Sequence, residues 1–129
     1  MGYNALNQYK QNTVLSATPE ELTLMLLDGA IKFINIGKYS IGKNDISKAH
    51  EALLRAQDIV WELNASLNMD YEISNNLKSI YDFIIERLID GNVSKEIKPL
   101  DEALGLLQEL RDTWKEAMKS VKKARYANK

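Results

Sequence analysis

The sequence predicts an all-α fold: an antiparallel up-down four-helix bundle with a mobile N-terminal arm. Apolar residues recur at helical spacing through four stretches of about 20–26 residues, each near 30–39 Å long when wound as a helix. The stretches are joined by short connections rich in Gly, Asn and Asp, which make consecutive helices antiparallel neighbours. No run of alternating apolar and polar residues is long enough to compete as a strand.

The first helix is the one around which the rest is organised. Thr18 precedes Pro19, with Glu21 three places on, so the Thr18 hydroxyl is placed to accept the Glu21 N–H while the Glu21 carboxylate reaches back to the Thr18 N–H. Proline at the first helical position loses no hydrogen bond. From Pro19 to Ile41 the residues Leu22, Leu24, Leu26, Leu27, Ala30, Ile31, Phe33, Ile34 and Ile41 form one continuous arc, with only Asp28, Lys32 and Asn35 as a polar stripe. This arc is about twice the width that a surface helix needs, so several neighbours or an external partner must enclose it. Gly42-Lys43-Asn44 is the expected connection, and Asp45 the cap of the next helix.

The second helix, Ile46 to about Leu67, collects Ala49, Leu53, Ala56, Ile59, Val60, Leu63 and Leu67 on its core face. A second stripe runs beside it: His50, Leu54, Gln57 and Trp61 recur at spacings of four, three and four. Leu54 and Trp61 are thus available either to a neighbouring helix or to a partner. Asn68-Met69-Asp70 connects to a third helix, Tyr71 to Asp90, expected to bury Ile73, Leu77, Ile80, Tyr81, Ile84, Ile85 and Leu88 and to end at Gly91-Asn92. After a link over Val93 to Lys98, Pro99 opens the last helix, where Leu100, Leu104, Leu107, Leu110, Trp114, Met118 and Val121 share a face. Residues 1–17, MGYNALNQYKQNTVLSA, lack helical periodicity but carry the apolar anchors Tyr3, Leu6 and Tyr9. The 129 residues are read as one domain, with an arm or lid over residues 1–17, a bundle over 18–125 and a tail over 126–129.

Composition narrows the function. The chain has no cysteine, which excludes disulfides, thiolate zinc sites and cysteine nucleophiles. No uninterrupted apolar run of about 18 residues and no basic-then-apolar leader is found, so a cytoplasmic protein without stable membrane insertion is expected. Net charge is −1, but residues 115–129 hold +5 and the remainder −6. A solvated basic helix end explains the first figure, and an acidic partner or anionic surface is the alternative. The acidic body argues against nucleic acid. A di-iron bundle needs Glu-x-x-His on two helices, and here Ser47 stands three before the only histidine, His50. With no phosphate loop, catalytic triad or isolated carboxylate pair, no enzyme, metal or cofactor is expected.

Several stretches together resemble the family of the flagellar export chaperone FliS: YKQNTV from Tyr9, ATPEELTLMLLDGAIKF from Ala17, RAQDIVWEL from Arg55, SLN from Ser66, IYDFIIERL from Ile80 and ELRDTWKEA from Glu109. The order is the family's and the stretches span nearly the whole chain. Leu27 before Asp28-Gly29, and Leu6 three before Tyr9, stand where the family often has Tyr; both keep an apolar anchor and remove a hydroxyl. The resemblance implies a bundle without ATPase activity that binds the C-terminal segment of flagellin, prevents its premature polymerisation and presents it for type III export, with other flagellar export components as further partners. Leu54 and Trp61 are then the candidate client-binding residues, and Tyr3, Leu6 and Tyr9 the candidate lid anchors. The competing function is a self-associating helical interaction module without a chaperone role.

Overall fold

The computed structural model describes residues 16–127. Four helices follow in order: α1 Pro19–Gly42, α2 Ile46–Ala65, α3 Glu72–Ser94 and α4 Ile97–Ala127. Thr18 caps α1 by accepting the Glu21 N–H at 3.2 Å, but the return bond from the Glu21 carboxylate is not formed, so the cap is one-sided. Asn44 takes the left-handed backbone, φ 60°, that reverses the chain, a conformation Asn tolerates better than most residues. Asp45 then caps α2 through the Lys48 N–H at 3.1 Å. Between α2 and α3, Asn68 organises the turn: its side chain accepts the Asp70 N–H at 3.0 Å, and its carbonyl accepts the hydroxyl of buried Ser74 at 2.6 Å.

Contacts between named pairs give the topology directly. Across α1 and α2, Gly37 lies against Leu53 and Gly29 against Ile59. Across α2 and α3, His50 bonds Asn92 and Asn64 bonds Asp82. Across α1 and α4, Lys38 pairs with Asp101 at 2.5 Å, Asp28 with Arg111 at 3.1 Å, and Glu20 with Trp114 at 2.9 Å. In each pair of helices one number rises as the other falls, so every neighbour is antiparallel and α4 closes the square against α1. Leu27, Ile34, Leu53, Leu63, Ile84, Leu88, Leu100 and Leu107 fill the centre with almost no exposure. Burying such side chains stabilises by about 1.5–3 kcal/mol each, which is the main term holding the bundle.

Three expectations are corrected. Helix α3 does not end at Gly91-Asn92; both are buried within it, and it runs to Ser94 before Lys95 enters the left-handed region at φ 55°. Gly91 is there for packing, since a Cβ on it would lie 2.5 Å from Leu100 Cδ2. The link to α4 shrinks to Lys95 and Glu96, because α4 also begins earlier than expected, at Ile97 and not at Pro99. Ile73, expected inside, is 65% exposed, because the turn at Asn68 places Ser74 on the inner face instead. The apolar seam of α4 is covered only through Leu107: Leu110, Trp114 and Met118 are half-buried and Val121 is 52% exposed. The first turn of α1 sits opposite Trp114, so residues 115–127 continue about 20 Å beyond it.

Candidate functional site

Helix α2 carries a surface stripe on the flank that faces α3. His50, Gln57 and Asn64 repeat every seven residues along this flank, with Leu54 and Trp61 beside them. Leu54 is 42% and Trp61 54% exposed, and neither belongs to the buried cluster, whereas Ile59 on the opposite flank packs against it. On α3, Asp82 and Ile89 are one heptad apart and share the flank facing α2. The register set by the two polar bridges places Ile89 opposite Leu54, with Val93 one turn further on. Ile89 is 42% and Val93 83% exposed. Trp61, Leu54 and Ile89 are thus exposed apolar residues on the flanks where α2 and α3 meet, with Val93 exposed beyond them.

Each end of the stripe is polar. At one end Asp82 accepts from Asn64 at 2.7 Å and from Lys78 at 2.8 Å, and these two hydrogen bonds, Lys78's first, hold its carboxyl below the usual range. At the other, Asn92 is buried, its amide oxygen accepts from Lys95 at 2.7 Å, and its amide group lies within hydrogen-bond distance of His50 Nδ1, the nitrogen at 3.1 Å and the oxygen at 3.3 Å. The polar groups are thereby satisfied among themselves, and the stripe between them offers apolar surface with a charged rim.

The sequence picked out Leu54 and Trp61 on α2, and the fold brings them together on one exposed flank. It missed Ile89 and Val93, whose only signal was an apolar pair four apart lying off the α3 core face. Tyr3, Leu6 and Tyr9 lie outside the described residues. Among the described residues no group of His, Cys, Asp and Glu is placed to hold a metal ion, and no helix is long and apolar enough to cross a membrane.

Exposed apolar residues along the seam of two antiparallel helices are the feature that the helix-in-groove class of binding modules uses. Comparison with known proteins makes the class particular. The family model of the flagellar protein FliS matches residues 2–121, and the chain belongs to that family. The flagellar secretion chaperone FliS of Bacillus subtilis (strain 168) is 38% identical over 97% of this chain and 94% of its own. That of Salmonella typhimurium is 32% identical over 82% of this chain and 81% of its own. A crystal structure of a bacterial flagellar chaperone shares the fold at 23% identity, with a TM-score of 0.74 over 93% of this chain and 99% of that one.

Proposed function

We propose that this protein is a cytoplasmic flagellar export chaperone that holds the C-terminal segment of flagellin, prevents its premature polymerisation and presents it for type III export. Membership of a family of flagellar secretion chaperones supports the role. The observation that carries the site is the exposed stripe of Leu54 and Trp61 between two satisfied polar clusters. Helix-in-groove binding needs apolar anchors repeating along a face with a polar rim, and the α2–α3 groove has both. A client segment seated there is withheld from the helical packing of a filament, so competition supplies the mechanism and no nucleotide or catalytic step is needed.

Residues 1–17 act in this reading as a weak lid. Burying Tyr3, Leu6 and Tyr9 returns about 1.5–3 kcal/mol each, while fixing each backbone residue costs about 1–2 kcal/mol. Only a short part around the anchors stays docked, and a client with more anchors displaces it. Calorimetry with the flagellin C-terminal segment tests both levels. Wild type should bind with sub-micromolar affinity, and Trp61→Ala should weaken binding about thirtyfold, as a central aromatic anchor worth about 2 kcal/mol does. No heat of binding to wild type would remove the function; normal binding by both Leu54→Ala and Trp61→Ala would remove only the site.

A further inference from the structure

A second concave surface lies on the other side of the bundle, where α4 leaves α1. Leu24 of α1 and Trp114, Met118 and Val121 of α4 form its apolar floor, in a cleft of about 650 Å³. Its rim is divided by charge. Glu20 and Glu21 line the α1 side, and Lys115, Lys119, Lys122 and Arg125 line the α4 side. Apart from Lys119, which pairs with Glu116 at 3.6 Å, none of these rim charges makes an ion pair among the described residues. Trp114 is held in place by its N–H bond to the Glu20 carbonyl, so the floor is preorganised.

We infer that this cleft is a docking site for an acidic amphipathic helix of a partner protein, which lays its apolar face on Leu24, Trp114 and Met118 and its carboxylates against the α4 lysines. Charge decides among the occupants. Residues 1–15 carry Lys10 and no acidic residue, so the chain's own arm offers nothing to the lysines. A second copy would bring one +5 segment against another. An anionic bilayer would meet Glu20 and Glu21, and a flat surface does not enter a cleft whose floor lies between two helices. A helix with one acidic flank satisfies the lysines, while a neutral or basic opposite flank satisfies the glutamates. The inference is independent of the client site, which uses α2 and α3.

The test uses the full-length chain with Trp61→Phe, which leaves Trp114 as its only tryptophan and its fluorescence as the reporter of the cleft. The probe is a synthetic helix of about 14 residues, about 21 Å long, with a leucine face, glutamates on one flank and glutamines on the other. Its control has lysine for every glutamate. The glutamate peptide should shift Trp114 emission to shorter wavelength in a salt-sensitive, saturable way. The lysine peptide should bind at least about tenfold more weakly, and Lys115→Glu with Lys122→Glu should reverse the order of the two peptides. Both lysines are exposed, and circular dichroism checks that the double variant stays folded. Equal binding of the two peptides, or no shift with the glutamate peptide, overturns the proposal. A shift produced by phosphatidylserine vesicles in place of the peptide, or by raising the protein concentration alone, overturns it in favour of a membrane or a second copy.

Discussion

The indole N–H of Trp114 donates to the backbone carbonyl of Glu20 at 2.9 Å, tying the first turn of α1 to α4 at the point where α4 passes beyond its partner. The bond joins residues 94 apart in sequence, and the ring itself is only half-buried. Trp114 is therefore a clasp at the edge of the core. Trp114→Phe should keep most of the ring contact and lose one hydrogen bond, about 0.5–1.5 kcal/mol. Leu107→Ala, in the fully buried centre, should cost about 2–5 kcal/mol. Leu54→Ala should stay within about 0.5 kcal/mol of wild type. Urea denaturation ranks the three; a Leu54→Ala cost above that of Leu107→Ala would overturn the division between core and flank.

Two glycines on helices should respond with opposite sign to the same substitution. At Gly91 a Cβ would lie 2.5 Å from Leu100 Cδ2 and 3.3 Å from the Glu96 carbonyl oxygen, so Leu100, itself fully buried, has to shift. Gly91→Ala should destabilise by about 1–3 kcal/mol despite its better helix propensity. At Gly105 nothing lies within 4 Å, and the residue is exposed. Gly105→Ala should stabilise by about 0.5–1 kcal/mol. Thermal denaturation of the two variants should move the midpoint down for the first and up for the second.

The Asp82 cluster sets a small acid dependence. Lys78 and then Asn64 hold the carboxyl below its ordinary range in the folded chain. A depressed folded pKa means stability that is present above the unfolded value and lost as pH falls through the folded one. Solvent screens this exposed pair, so the effect on global stability is slight and the readout is the titration itself. Carbon-detected NMR should place the Asp82 midpoint below that of an unpaired aspartate, and Lys78→Gln should raise it. An unchanged midpoint in that variant would assign the shift to Asn64 instead.

Deleting residues 1–15 should leave the bundle folded, because the core and the interhelical bonds among the described residues do not draw on them. If the segment acts as a lid, the flagellin peptide should associate faster with the shortened chain. Stopped-flow mixing measures this, and an unchanged on-rate and affinity would remove the lid from the mechanism.

Local chemistry determined where the first two helices begin. Thr18 before Pro19, and Asp45 before Ile46, act through backbone groups within one turn, so their effect is readable without any neighbour. Helical periodicity likewise placed Leu27, Leu53, Ile84 and Leu107 inside, because a side chain's face follows from its spacing. The end of α3 was decided elsewhere. Gly91 reads as a helix stop in isolation, yet the approach of Leu100 from α4 makes it a packing residue, and Lys95 ends the helix instead. The site divides in the same way. Spacing alone marked Leu54 and Trp61 as off the core, but whether α3 covers that flank depends on the register that Asn64–Asp82 and His50–Asn92 impose across two helices. The seam of α4 is equally apolar from Leu100 to Val121, and only the position of α1's first turn opposite Trp114 determines where it stops being core and becomes surface. Periodicity records which side of a helix is apolar; how far along that side a neighbour reaches is settled by contacts between residues distant in the chain.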